Sequence, residues 1–154
     1  MSVENIKKIG VIGAGQMGSG IAHVAALAGY DVHLMDTNPE QLSAATESIR
    51  HFMIRQVEKA KITQGAMDAA LPRITTGTEM SAFGDADIVI EAASENEAVK
   101  REIFHELCPF LKPEAYIATN TSPIPITRLA AKPDRQGQFV GMPFLNPGPG
   151  MALV

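Results

Sequence analysis

The sequence predicts an α/β fold, a doubly wound, mostly parallel sheet with helices on both faces. Three observations carry this. Short β-prone apolar runs alternate with segments of helical spacing, the connections between runs are long enough for parallel crossovers, and a glycine-rich turn joins the first run to the first helix. The chain of 154 residues, 45% apolar and 19% charged, is long enough to bury a core as one domain. Its one cysteine, Cys108, permits no internal disulfide.

Residues 6–12 read as the first strand, and beyond the glycine turn Ile21, Val24, Ala25 and Ala28 recur at helical spacing up to Gly29. Residues 30–36 alternate as a second strand. Asn38, Pro39 and Gln41 then give an N-cap, an N1 proline and a capping-box glutamine, opening a helix to about residue 62. Its apolar face is Leu42, Ala45, Ile49, Phe52, Met53 and Val57. Residues 63–72 read as a polar break, 73–77 as a short strand and 86–92 as a continuous apolar strand covered on both faces.

Ser94 with Glu97 suggests a second capping box, for a helix with Val99, Ile103, Phe104 and Leu107 inward that ends or kinks at Pro109. Residues 115–119 and 138–142 read as further strands, with a short helix over 124–131. Proline and glycine crowd the segment after residue 142, so the expected domain is 1–142 and residues 143–154 are the expected start of a linker.

The balance of 13 basic against 17 acidic residues, a charge of −4, comes without Lys/Arg runs, and two Tyr, six Phe and no Trp offer few stacking platforms. Nucleic acid is therefore excluded as an expected partner. No apolar run approaches the roughly 18 residues that span a bilayer. A cleaved leader is also rejected, because Gly13, Gly15, Gln16, Gly18, Gly20 and His23 interrupt its would-be apolar region. The expected location is cytoplasmic.

Gly13, Ala14, Gly15, Gln16, Met17 and Gly18 match G-x-G-x-x-G, between a strand and a helix, with Asp36 at the end of the next strand. This is a Rossmann-type fingerprint. Gly13 allows the tight turn, Gly15 lets the backbone approach a pyrophosphate, and Gly18 lets the helix pack close. The helix N-terminus offers N–H groups to the anion. Asp36 is expected to accept hydrogen bonds from the adenosine ribose and to repel a 2′-phosphate, which favours NAD over NADP.

Three further segments, Glu91 to Lys100, Thr119 to Ser122 and Gly141 to Pro147, resemble the L-3-hydroxyacyl-CoA dehydrogenase family, and with the fingerprint and Asp36 the resemblance covers essentially the whole chain. It implies NAD-dependent oxidation of a 3-hydroxyacyl-CoA to the 3-ketoacyl-CoA, or the reverse, as in β-oxidation or butanoate metabolism. By position, Glu95 and Lys100 would lie along the cofactor, Asn120 and Ser122 beside the nicotinamide and substrate hydroxyl, and Asn146 near the catalytic base. Lys59 falls where the family meets CoA. On residue type alone, Glu95 and Lys100 read as an exposed helix-start pair, Ser122 as an ST-turn and Lys59 as part of a solvated helix face.

The chain departs from the family where Gly-x-His-Phe-Phe-Asn-Pro is usual: Pro143 stands in the place of the acid/base His and has no ionisable group. His23, His51 and His105 fall on predicted helices and His33 within a strand, so none replaces it. His105 and Cys108 make two metal ligands without a third, and no metal is expected. The family's orienting Glu and its helical domain, which meets acyl-CoA and dimerises, lie beyond residue 154. The apolar residues Phe144, Leu145, Met151, Leu153 and Val154 predict self-association, hence a homo-oligomer, or a disordered tail.

The sequence therefore reads as the NAD-binding domain of a 3-hydroxyacyl-CoA dehydrogenase-like oxidoreductase, inactive as this chain. Two other readings stand beside it: a non-catalytic dinucleotide-binding module or sensor, and a 3-hydroxyisobutyrate or 6-phosphogluconate dehydrogenase-like enzyme, which shares the Met-Gly turn.

Overall fold

The computed structural model describes residues 6–93, 96–119 and 139–141. The strands are β1 (Lys8–Ile12), β2 (Asp31–Met35), β3 (Ile74–Gly77), β4 (Ile88–Glu91), β5 (Tyr116–Thr119) and β6 (Phe139–Gly141). The α-helices are α1 (Gln16–Leu27), α2 (Pro39–Glu58), α3 (Gln64–Ala70) and α4 (Glu97–Leu107). All strands pair in parallel, in the order β3-β2-β1-β4-β5-β6. The order reverses at the β1–β4 junction, which opens a crevice between the turns that follow those two strands.

Alternation along β1 explains the two layers. Ile9 and Val11 face a core built with α1, α2 and α3, which includes Leu34, Ile49, Met53 and Met67. Ile12 faces the other core, with Met35, Phe83, Phe104, Leu107 and Ile117. Each side chain of this kind, fully buried, contributes about 1.5–3 kcal/mol. Gly10, on the second face, leaves room for Phe83: a β-carbon there would stand 2.6 Å from the Phe83 ring.

At the amino ends of the strands Asp87 ties β1 to β4. Its Oδ2 accepts the backbone N–H groups of Lys7 and Lys8, at 2.8 and 2.9 Å, and its Oδ1 accepts from Lys112 Nζ. Burial works to raise the Asp87 carboxyl, but the Lys112 ammonium and these two N–H donors overcome it and hold it below the ordinary value. Lys8 Nζ reaches Asp85 at 2.8 Å beside this clasp. Asp85 is likewise lowered, chiefly by that hydrogen bond.

Several sequence expectations need correction. The break expected over 63–72 contains α3, capped by Thr63 Oγ1, which accepts from Ala66 N at 3.0 Å, and buried through Met67 and Ala70. A 3₁₀ turn, Met80–Phe83, precedes β4 and delivers Phe83 to the core. Asn38 does cap α2, accepting from Glu40 N at 2.9 Å, but its own N–H goes to Asp36 Oδ1, so the box with Gln41 does not form. On α2 the buried set includes Gln56, whereas Phe52 is 37% exposed.

The cap of α4 is Asn96, which accepts from Val99 N at 3.1 Å; Ser94 lies outside the described residues. Val99, expected inward, is 43% exposed, and Lys100 occupies the buried position instead. The α4 helix ends at Leu107, before a 3₁₀ turn containing Pro109, as the sequence predicts. The helix expected over 124–131 and the segment after residue 142 lie outside the described residues. Among the described residues no helix is long and apolar enough to cross a membrane.

Candidate functional site

The glycine turn sits at the carboxyl end of β1. Gly13 has φ +104°, and a β-carbon on it would stand 2.8 Å from Ala93 Cα, so the turns after β1 and β4 touch here. A β-carbon on Gly18 would stand 1.6 Å from the carbonyl oxygen of Gly13, which fixes the close approach of α1 to the turn. Gly15 is different. Nothing stands within 4 Å of the space its β-carbon would fill, and its backbone, φ −75° and ψ −165°, is open to any residue.

The start of α1 is also distinctive. Asn38, Thr63 and Asn96 supply side-chain caps to α2, α3 and α4. The α1 helix begins at Gly15 with no side-chain cap and no acidic residue in its first turn. A helix N-terminus of this kind, beside an open backbone face, is suited to an anion.

Asp36 lies just beyond β2, half-buried. Its Oδ2 accepts the Ala14 N–H at 2.9 Å and its Oδ1 the Asn38 N–H at 2.9 Å, while its own N–H donates to Gly77 O at 3.2 Å. A carboxylate offers about four acceptor positions, so two remain for vicinal hydroxyls. These residues fit a dinucleotide: an open turn for the diphosphate and an anchored carboxylate for the ribose. A cleft of about 380 Å³ adjoins the turn between α1 and α2, lined by Gly15, Gln16, Ser19, His23, Ser48 and Phe52 among others.

The structure brings Gly13, Ala14, Gly15, Gln16, Met17, Gly18 and Asp36 together, and it places Lys100 on α4, against Glu91 at the end of β4. There Lys100 is not at a solvent-facing helix start. Lys100 Nζ is hydrogen-bonded to Glu91 Oε1, and both side chains are fully buried. Burial draws the Lys100 ammonium down to about 8 from its ordinary 10.5. Glu95, Asn120, Ser122, Pro143 and Asn146 lie outside the described residues. Lys59 follows α2 as its C-cap.

The histidines stay where the sequence puts them, His23, His51 and His105 on helices and His33 in β2. Sequence reasoning missed how two of them are buried. His23 Nε2 lies 2.7 Å from Gln56 Oε1, joining α1 to α2, and burial lowers its pKa against the opposing effect of that bond. His33 Nδ1 lies 2.8 Å from Thr75 Oγ1, its ring meets Phe83 edge-on, and burial, aided by Lys8, lowers its pKa against the opposing Asp85 charge. Gln56, one helical turn beyond Met53 on the apolar face of α2, was the available signal for the first pair.

Comparison with known proteins gives a consistent picture. Residues 8–154 match the family described as "3-hydroxyacyl-CoA dehydrogenase, NAD binding domain". The chain is 54% identical over 149 residues to a 3-hydroxybutyryl-CoA dehydrogenase of Bradyrhizobium diazoefficiens, a match covering 97% of this chain and 51% of that protein. It is 46% identical to a probable 3-hydroxybutyryl-CoA dehydrogenase of Deinococcus radiodurans, covering 96% of this chain and 52% of the relative. The crystal structure of (S)-3-hydroxybutyryl-CoA dehydrogenase from Ralstonia eutropha superposes with a TM-score of 0.91 at 38% identity, covering 97% of this chain and 53% of that one. The chain thus spans about half the length of the curated relatives it matches.

Proposed function

Because the chain belongs to the 3-hydroxyacyl-CoA dehydrogenase family, as its NAD-binding domain, we propose that residues 13–18 and Asp36 hold NAD for the oxidation of a 3-hydroxyacyl-CoA to the 3-ketoacyl-CoA, or for its reverse. The observation that carries this is the pairing of Asp36 with Ala14 N–H beside an uncapped helix start and an open Gly15. The family match also decides between the two dehydrogenase groups that share a Met-Gly turn.

NAD supplies the nicotinamide that exchanges a hydride with the substrate carbon. The chain's own residues bind and orient it. The main chain at Gly15 and the first turn of α1 take the diphosphate, and Asp36 takes the adenosine ribose hydroxyls and excludes a 2′-phosphate by charge. By family position, Ser122 would lie beside the nicotinamide and the substrate hydroxyl, where its own hydroxyl could hydrogen-bond the substrate oxygen, and Asn146 near the place of the catalytic base. Neither removes a proton at neutral pH, and Pro143 cannot. The domain therefore binds cofactor without turning substrate over.

Pro143 equally favours a second reading, a non-catalytic dinucleotide-binding module. Titration of the chain with NAD, followed by assay with NADH and acetoacetyl-CoA, tests both. Binding without turnover is the expected result. Turnover would overturn the role given to Pro143 and the module reading together, and failure to bind NAD would overturn the proposal itself.

A further inference from the structure

His33 lies mid-strand in β2, opposite Gly10 of β1 and Thr75 of β3, and is 7% exposed. Its neighbours assign its proton. Thr75 Oγ1 donates to Val32 O at 3.3 Å, so the Nδ1–H of His33 is the donor in its 2.8 Å bond to that hydroxyl. Nε2 is left with a bare lone pair, buried and without a hydrogen-bond partner among the described residues. It lies over Gly77: Nε2 and Cε1 each stand 3.3 Å from where a Gly77 β-carbon would be. Gly77 ends β3, and its carbonyl oxygen accepts the Asp36 N–H at 3.2 Å. The ring therefore fills the seam between β2 and β3 one hydrogen bond away from the carboxylate assigned to the ribose.

We propose that His33 is a proton-sensitive switch on Asp36: the neutral ring seats the end of β3 against β2, and protonation at Nε2 unseats it and loosens the grip of Asp36 on the adenosine ribose. This deepens the dinucleotide reading and rests on it. A second ring N–H meets no acceptor at Gly77, and a buried donor left unpaired is costly, more so when it carries charge. The ring must leave Gly77 or water must enter between them, and β3, the edge strand, is the side that yields. Any neutral side chain that fills the seam leaves Asp36 held.

Two charges act on the ring. Lys8 on β1 opposes protonation, and Asp85, ahead of β4, favours it but is engaged by Lys8 Nζ at 2.8 Å. Asp31 shares this face at the start of β2, Glu79 after β3 is exposed, and the 3₁₀ turn before β4 presents the Phe83 ring edge-on. Burial first, then Lys8, keeps the ring neutral near pH 7.

The test is calorimetry with ADP and 2′-deoxy-ADP at pH 7.5 and 5.0, on the wild-type chain, His33→Asn and His33→Val. Phosphate ionisation and any unfolded fraction affect both nucleotides alike, so the ratio of their affinities reads the bond from the 2′-hydroxyl to Asp36. Asn keeps an N–H for Thr75, Val suits a buried strand, and neither titrates; either variant suffices if the other does not fold. ADP is expected to bind about tenfold or more tightly than 2′-deoxy-ADP at pH 7.5 in all three chains. At pH 5.0 the ratio should fall to about threefold or less in the wild type and stay within about twofold of its pH 7.5 value in the variants. A wild-type ratio that holds at pH 5.0, or a variant ratio that does not, overturns this inference alone. A wild-type chain that binds the two nucleotides equally at pH 7.5, or binds neither, overturns the ribose role of Asp36 and this inference with it.

Discussion

The Ala14 N–H donates to Asp36 Oδ2 at 2.9 Å, so the glycine turn after β1 and the carboxylate after β2 are one linked unit before any ligand arrives. Asp36 holds its own loop as well, through Asn38 N–H. Replacing Asp36 by Ala removes the proposed ribose acceptor and both anchors. The expected loss in NAD affinity is about 10–100-fold, from bonds to a charged acceptor worth about 1.5–3 kcal/mol. Asp36→Asn keeps an acceptor and removes the charge, so it narrows the preference for NAD over NADP. Calorimetry with both cofactors measures each effect; an unaltered preference in Asp36→Asn would refute the charge argument.

Gly18 carries the packing of α1. A methyl group there would overlap the Gly13 carbonyl at 1.6 Å, an approach that only backbone displacement can relieve. Gly18→Ala is expected to cost several kcal/mol, on the scale of severe backbone or overpacking changes of roughly 3 kcal/mol. Thermal melting reads this directly, and a variant with an unchanged midpoint would contradict the geometry.

The buried histidines set an acid limit. Burial lowers the His23 and His33 pKa values below 6.5 in the folded chain. Between the folded value and 6.5 the unfolded chain binds protons that the folded chain does not, so stability is complete above pH 6.5 and falls as pH drops through that window. Urea midpoints at pH 7.5, 6.0 and 5.0 should fall in that order, with a shallower fall in His23→Gln. An equal slope in that variant would remove His23 from the account.

Asp87 supports the fold at the end opposite the crevice. Asp87→Ala strands two backbone N–H groups and Lys112, and is expected to cost about 2–3 kcal/mol. NAD affinity should hold, because the clasp is at the amino ends of β1 and β4. A chemical denaturation curve paired with an NAD titration separates the two; loss of binding with no loss of stability would contradict the placement.

The fold was legible because its main signals are local. Apolar runs, the glycine turn and Asn38-Pro39 each act within a few residues, and parallel pairing follows from crossover length. What escaped the sequence depends on distant partners. Lys100 reads as a surface residue until Glu91 is seen beside it, and with Lys100 buried on α4 its neighbour Val99 is left exposed. Gln56 is buried because His23 lies on the neighbouring helix. Thr63, Ala66, Met67 and Ala70 make a helix whose seven residues are too few to announce themselves and which is held by packing on α1 and α2. At the site, the turn and Asp36 were readable as a motif, whereas the Asp36–Ala14 bond needed β1 and β2 side by side.

Gly15 gives the most direct test of the central claim, that bare main chain at this turn receives a diphosphate. Its backbone angles suit alanine and nothing in the protein occupies the β-carbon's place. Calorimetric titration of Gly15→Ala with NAD, alongside its melting curve, should give a wild-type midpoint and NAD affinity reduced about tenfold or more, by a methyl group set where the ligand lies. A Gly15→Ala chain that melts and binds NAD as the wild type does would contradict the account.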